Sequence, residues 1–417
     1  MANLFVSVGD DHTLPGAVKV ADVNLPATSN AAAIAAKLDA AAVGGAFGVA
    51  PLGADSKVPD ASLPTRLGAT ALNATYGPDS AGIKGAYVRD AIGSFSGTER
   101  GEIQFTRVGS AAVFLQSNQN PAAGALSPTS SPSLYWPWII DARAILGGAA
   151  LDEFYMYYST DHEAVHANSG IWLATAPSEV GPWTGRGRVY IDNAGGQQTE
   201  TPSVIWNPEE NLFFMYYQQA QAPGGLGDQS TLLATSPDGI TWTRVGIVLD
   251  IVAGANAGDG HTGYFRPYRV GGQWIGYHLM GGTGRPHFGI SYSADGRTWW
   301  TDPNPLLYGA DQSGTRQVTW NTSNIVWWRG RNYWIGSLDD FAAGAAPKDG
   351  RISIAPIADD GRHVIGVPKT QLYPTALTYE TTNYRSCYAF VGRDGKLYLY
   401  YNNVGAFFVA VAGRSAK

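Results

Sequence analysis

Cysteine is almost absent from this sequence: Cys387 is the only one. A lone thiol can form no disulfide within the chain and no cysteine-based metal cluster. Its place in an apolar strand run assigns it to a core, as a small apolar residue. Charge is scarce too: 15% of residues are Asp, Glu, Lys or Arg, and the formal net charge is −6. No basic stripe stands out, so nucleic-acid binding, which needs clustered Lys and Arg, is not expected. No apolar run approaches the roughly 20 residues that a spanning helix needs, so no membrane insertion is expected. The start, MANLFVSVGDD, lacks a basic n-region and a long apolar stretch, and no signal peptide is expected there.

What the chain has in quantity is glycine and large aromatics: 52 Gly, 13 Trp and 22 Tyr among 417 residues. With 44% hydrophobic residues it can bury a sizeable core, and this mixture suits a turn-rich, mainly β protein. The aromatics recur in register. LYWPWIIDARAILGGAALDEFYMYY, ETPSVIWNPEENLFFMYY and GYFRPYRVGGQWIGYHLMGG contain Pro137, Pro202 and Pro267, spaced 65 residues apart twice (202 − 137 and 267 − 202). TSNIVWWRGRNYWIGSLDDF and RSCYAFVGRDGKLYLYYNNV repeat the pattern of short apolar strand, polar turn and aromatic strand. A further strand follows each time: GIWLATA, TLLATS, HFGISYS, RISIAPI and FFVAVAG.

Repeats of roughly 40–65 residues with three or four strands each point to propeller blades. One blade cannot bury both faces of its sheet, whereas five around an axis can. The expected fold is mainly β: a five-bladed β-propeller over residues 96–417, with EIQFTRV and AAVFLQS adding an edge strand that helps close the ring. A pair of β-sandwiches is the alternative, and the constant register of the prolines opposes it. The turns SPDGITW and SADGRTW are read as structural: Ser and Asp bond the loop backbone while Trp packs between blades. Trp206, Trp242, Trp274, Trp299, Trp327 and Trp334 are assigned to blade packing.

The N-terminal part is different material. Residues 1–27 hold two plausible short strands, NLFVSV and AVKVADVNL. TSNAAAIAAKLDAAAVGG reads as a short Ala-rich helix, capped by Thr28, Ser29 or Asn30 and ended by Gly44-Gly45. Its apolar stripe is too narrow for a lone helix and suits packing against copies of itself. The proline-rich stretch from Pro51 has no helix or strand period and should run extended. Residues 28–95 are read as a stalk, with a disordered linker as the alternative.

LGADSKVPDASLP resembles the L-x-x-D-G-K-V-P-x-x-x-L-P segments of bacteriophage tail-fibre and minor tail proteins, with Ser56 where those have Gly. The resemblance implies a virion protein of the phage tail: a homotrimer attached to other tail proteins through residues 1–27 as attachment segment, whose C-terminal domain meets a host cell-surface glycan. The repeats with YYS, GIWLATA and SPDG-x-TW are similar to the propellers of arabinanase-, xylosidase- and fructosidase-type glycoside hydrolases. That second resemblance implies two carboxylates across a sugar, one acting as acid and one as base. Glu200-Thr-Pro looks like their general-acid Glu-x-Pro. They carry Asp before the first-blade proline, where this chain has Trp136. Asp141, Asp161 and Asp259 are the candidate bases. A sialidase-like carboxylate site built on Arg266, Arg316 and Arg385 is a further alternative.

In a propeller the inner strands begin at one end of the central channel, and polar groups converging there form the default ligand site. Trp136, Tyr264, Trp320 and Tyr384 offer aromatic faces for pyranose rings. Arg266, Asn321, Arg385 and His261 offer polar partners. No cofactor and no metal site is expected, with a channel cation near Asp259 and His261 as the alternative. The expectation is a receptor-binding virion protein that recognises host-envelope carbohydrate. A depolymerase with Glu200 as acid is the alternative, and a purely structural virion decoration is a third reading.

Overall fold

The computed structural model describes residues 103, 105–109, 111–115, 134–160, 169–192, 194, 197–222, 225–250, 262–270, 272–280, 287–303, 306, 316–342, 348–364, 369–372, 386–403 and 406–412. The expected attachment segment, Ala-rich helix and stalk lie outside the described residues. Two short strands come first, β1 (Phe105–Arg107) and β2 (Phe114–Leu115). Four antiparallel sheets then follow in chain order. Blade 1 is β3 (Leu134–Asp141), β4 (Phe154–Thr160), β5 (Ile171–Ala176) and β6 (Thr184–Tyr190). Blade 2 is β7 (Gln197–Asn207), β8 (Leu212–Ala222), β9 (Gly225–Ser236) and β10 (Thr243–Leu249). Blade 3 is β11 (Arg266–Val270), β12 (Gln273–Met280), β13 (His287–Ser293) and β14 (Trp300–Thr301). Blade 4 is β15 (Arg316–Trp328), β16 (Arg331–Ala342), β17 (Lys348–Ile357) and β18 (Lys369–Leu372). Blade 5 is β19 (Cys387–Val391), β20 (Leu397–Asn403) and β21 (Ala406–Ala412). It takes its outer strand from the N-terminal side, β1 pairing with β21 as Phe105↔Ala412, and β2 adding Phe114↔Phe407. The chain is a five-bladed β-propeller, closed by the strand run expected to close it.

The aromatic runs are explained by burial on both faces. Every residue of β4 and of β20 is buried. A strand sandwiched between neighbouring blades loses the period-2 signal and reads as a continuous apolar run. The outer strands face solvent on one side and alternate, as in TGRGRVY of β6. The core is accordingly a set of layers between blades. One layer joins blades 5, 1 and 2, and separate layers join blades 4 and 5, blades 3 and 4, and blades 2 and 3.

A repeated bond laces the outward end of each inter-blade layer. Tyr157 of blade 1 donates to the Gly239 carbonyl of blade 2 at 2.9 Å, and Tyr216 of blade 2 to Gly296 of blade 3 at 2.6 Å. Tyr277 donates to Gly361, Trp328 Nε1 to Gly395 at 3.0 Å, and Tyr400 to the Glu179 carbonyl at 2.7 Å, completing the circuit. Each acceptor glycine has φ of 71° to 74°, where a side chain would be strained. The Ser-x-Asp-Gly turns behave as read from sequence. Asp238 Oδ1 accepts from Ile240 N and Thr241 N at 2.8 and 2.7 Å, Ser236 Oγ accepts from Gly239 N at 2.8 Å, and Trp242 stands edge-on to Tyr157. Asp295, Ser293 and Trp299 repeat this arrangement against Tyr216.

Two local expectations are corrected. The β3–β4 connection contains a short helix, α1 (Ala142–Leu146), rather than a plain Gly-rich turn. Ala, Arg and Leu favour helix there, and Asp141 caps it by accepting from Ala144 N at 2.9 Å. Trp327 is not blade packing: it is 60% exposed, while its neighbour Trp328 is buried. Successive strand residues point to opposite faces, so only one of the pair can enter the inter-blade layer.

Candidate functional site

The inner strands β3 and β7 begin with bulges. Pairing of β3 with β4 shifts register between Tyr135 and Trp138, and that of β7 with β8 shifts on both sides of Glu200. Pro137 and Pro202 sit inside these shifts. Proline has no N–H for the ladder, and a bulge is where a strand accommodates it. The backbone beside each proline turns left-handed: φ is 52° at Trp136 and 58° at Thr201, with 69° at Gln198 and 56° at Tyr264 just ahead of β11. Such conformations cost about 1–3 kcal/mol each for non-glycine residues and persist only when neighbours over-determine them.

The neighbours are a repeated set. Trp136 N donates to Ser386 Oγ of blade 5 at 3.0 Å, Thr201 N to Ser159 Oγ of blade 1 at 3.0 Å, and Tyr264 N to Gln218 Oε1 of blade 2 at 2.9 Å. In each case the preceding blade supplies the side chain that holds the strained residue. The Trp136 and Tyr264 rings, from blades that are not sequential neighbours, meet edge-to-face with centroids 5.7 Å apart. That contact spans the mouth of the central channel.

Glu200 lies in the same ring of residues and is only 2% exposed. Gln218 Nε2 donates to its Oε1 at 3.0 Å, so one Gln218 amide orients both Glu200 and the Tyr264 backbone. On either side of Glu200 are two buried polar atoms, Gln198 Nε2 and Thr201 Oγ1, with no hydrogen-bond partner among the described residues. Buried polar atoms are nearly always satisfied, so this pair marks where an external hydroxyl or water belongs.

One layer deeper the channel is filled. Trp138 packs tilted against Tyr388 with ring centroids 4.3 Å apart and donates Nε1 to the Val204 carbonyl at 2.6 Å. Arg266 enters from blade 3, places its guanidinium carbon 5.4 Å from the Trp138 ring centroid, and donates Nη1 to the Pro202 carbonyl at 3.2 Å and to Ser203 Oγ. Arg266 thus reaches blades 1 and 2, which only a residue in the channel can do. Behind it the buried His278 stacks on Phe265 and bonds Ser291 Oγ through Nε2 at 2.8 Å.

The structure places Trp136, Glu200, Tyr264 and Arg266 at the starts of neighbouring inner strands, linked through Gln218, Ser203 and the Trp136–Tyr264 ring contact. It does not bring Asp141 to them. Asp141 stands at the opposite end of β3, where Arg393 grips its two carboxylate oxygens at 2.6 and 2.7 Å. Partial burial pushes the Asp141 carboxyl up, but the Arg393 guanidinium and the Ala144 N–H outweigh this and hold it below the usual range. That pairing suits a ring-closing ion pair between blades 1 and 5, and Asp141 is not retained as a candidate base. Asp161, Asp259, His261, Tyr384 and Arg385 lie outside the described residues. So do the side chains of Trp320, Asn321 and Arg316, whose backbone runs in β15. Among the described residues no cluster of His, Cys, Asp and Glu of metal-binding size occurs.

Gln198, Thr201, Gln218, Ser159 and Ser386 were not singled out from sequence. One signal was there: Gln218-Gln219 interrupts the aromatic run LFFMYYQQ, and a polar pair in a strand buried on both faces must have a purpose.

No family model matches the chain, and no curated protein matches it. Solved structures do. One is described under the GH130 family of mannoside phosphorylases as containing glycoside hydrolases that target β-1,2 mannosidic linkages in Candida mannan. It superposes with a TM-score of 0.51 at 16% identity, covering 75% of this chain and 94% of that one. A glycosyl hydrolase from Bacteroides ovatus gives 0.51 at 16% identity, covering 75% and 93%. A structure described as a glycoside hydrolase gives 0.53 at 16%, covering 76% and 95%. These likenesses define the class: a five-bladed propeller of the architecture used by glycoside hydrolases.

Proposed function

We propose that the propeller binds a carbohydrate at the channel mouth and acts on it as a glycoside hydrolase, with Glu200 as proton donor. The observation that carries this is the composition of the mouth. A buried carboxylate bonded by the Gln218 amide, which also holds the Tyr264 backbone, is flanked along β7 by two buried polar atoms without partners among the described residues, and Tyr264 in turn meets the Trp136 ring. Sugars present hydroxyls and apolar ring faces together, which is what such a surface complements. The propeller architecture of the structural neighbours, described as glycoside hydrolases, adds support. A second carboxylate is required for hydrolysis. Asp161 and Asp259 remain the candidates for it.

The test compares wild type and Glu200→Gln on host cell-wall polysaccharide, following both retention on the polymer and release of reducing ends. Release by wild type that falls by roughly 10²–10⁴-fold in the variant, with retention kept, supports a general acid. Retention without release by wild type removes the hydrolase reading.

The second reading is favoured by LGADSKVPDASLP and by Trp136 standing where the hydrolases it resembles carry Asp. Under it the chain is a trimeric phage tail protein that recognises a host-surface glycan without cleaving it, located in the virion and joined to other tail proteins. Sedimentation of the full chain tests the trimer: a monomer with residues 28–95 intact counts against that reading.

A further inference from the structure

Arg266 is 3% exposed and sits in the channel below the mouth. Its hydrogen bonds all run from Nη1, to the Pro202 carbonyl, Ser203 Oγ and, at 3.5 Å, the Phe265 carbonyl. All three acceptors are neutral. No carboxylate among the described residues lies within ion-pair distance of it. The ionisable groups that face it are the Cys387 thiol and the phenols of Tyr388 and Tyr264. Burial raises the Tyr388 phenol well above its ordinary range, so it is uncharged at neutral pH. Burial likewise lowers the Arg266 guanidinium to about 10, and the side chain stays cationic at neutral pH.

A buried charge without a counter-charge is costly, and folded proteins normally pair it. Buried Asp192, for example, is met by Arg244 at 2.8 Å. Arg266 has no such partner among the described residues. Its Nε and Nη2 make no hydrogen bond among the described residues. The bonds from Nη1 hold the guanidinium, and Nε with Nη2 forms its remaining two-donor edge. That edge matches a carboxylate, which takes two parallel N–H donors.

From this geometry we infer that the glycan taken at the mouth is acidic, and that Arg266 receives a carboxylate carried by one of its sugars. This deepens the carbohydrate reading and rests on it. The same edge could be met by a free small anion, and the experiment separates the two sources.

The full chain is applied to an array of uronate- and sialate-bearing oligosaccharides, each printed beside its neutral, carboxyl-reduced counterpart. Wild type, Arg266→Met and Arg266→Lys are compared. In the pairs that bind, the acidic member is expected to be held roughly 10- to 100-fold more tightly by wild type, as one charge-assisted contact provides. Arg266→Met should lose that preference, read as the ratio of acidic to reduced-sugar binding in each pair. Arg266→Lys, which keeps the charge and guards against a folding defect in the Met variant, should retain part of it. Equal binding of acidic and neutral members by wild type overturns this inference and leaves the carbohydrate reading intact. Binding to neither form overturns both. Chloride at constant ionic strength is the second arm. If it raises the melting temperature of wild type but not of Arg266→Met, and no acidic preference is found, the counter-charge is a free ion and the inference falls.

Discussion

The two ends of the inner strands solve the same backbone problem with opposite residues. At the turn end, left-handed positions fall mostly to glycine: Gly239, Gly296, Gly361 and Gly395 all have φ near 72°, with Asn211 and Arg329 also positive in the hairpins. At the mouth the same region of φ is occupied by Trp136, Gln198, Thr201 and Tyr264. Glycine adopts it freely, whereas the larger residues are strained by about 1–3 kcal/mol each. The turn end is arranged for stability, with aromatic hydroxyls and an indole N–H donating to the glycine carbonyls. On the carbohydrate-binding reading proposed above, the mouth gives up stability to hold side chains where a ligand would meet them.

The sharpest way to break this comparison is to exchange the residue types. Gly239→Ala places a Cβ about where Tyr157 Oη now lies, 2.6 Å away, and forces alanine to φ of 74°. A loss of about 2–4 kcal/mol in unfolding free energy is expected, read by denaturant melts. A loss below ~0.5 kcal/mol would mean the turn does not need glycine.

Acid should act on the mouth half of blade 3 with nearly the same force. Burial pushes the His278 imidazole from the ordinary 6.5 down to about 4. The folded state therefore resists a proton that the unfolded chain accepts. The neutral ring's contribution is fully present above pH 6.5 and is lost as pH falls from 6.5 to about 4, by about 3 kcal/mol in all. A His278→Gln variant should show a flatter stability profile across that window. An unchanged slope would remove His278 as its source.

Tyr216→Phe tests one lacing bond. The Gly296 carbonyl would keep only the bond from Trp299 Nε1 at 3.1 Å, and a loss of about 0.5–1.5 kcal/mol is expected by thermal or denaturant unfolding. The smallest effect has the opposite sign. Thr201→Gly relieves strain at φ of 58° and is expected to leave stability unchanged or raise it by up to about 1 kcal/mol, while weakening glycan retention. A variant both less stable and undiminished in binding would contradict the reading of the mouth as a strained site.

The propeller was legible because its blades repeat. Pro137, Pro202 and Pro267 keep a constant spacing, and the aromatic strands are continuous because both their faces are buried. Four of the outer strands were harder to see: TGRGRVY, TRVGIVL, WT and KTQL carry too little apolar pattern to announce themselves, and their place follows from the sheet beside them. Within the site, Trp136, Glu200, Tyr264 and Arg266 could be found by aligning the repeats. Asp141 could not be excluded that way. Its role depends on Arg393, which is remote in sequence and adjacent only once the ring has closed. Trp327 and Trp328 were indistinguishable until the strand's two faces were assigned.

Sequence alone determined the repeat, the turn chemistry and the side chains available at the start of each inner strand, since these depend on local spacing and backbone preference. Tertiary structure decided which of those side chains meet. Gln218 reaches Glu200 and Tyr264, Ser159 and Ser386 hold the strained entries of the next blades, and Arg266 enters the channel without a counter-charge among the described residues, all because circular closure brings together blades that the chain keeps far apart.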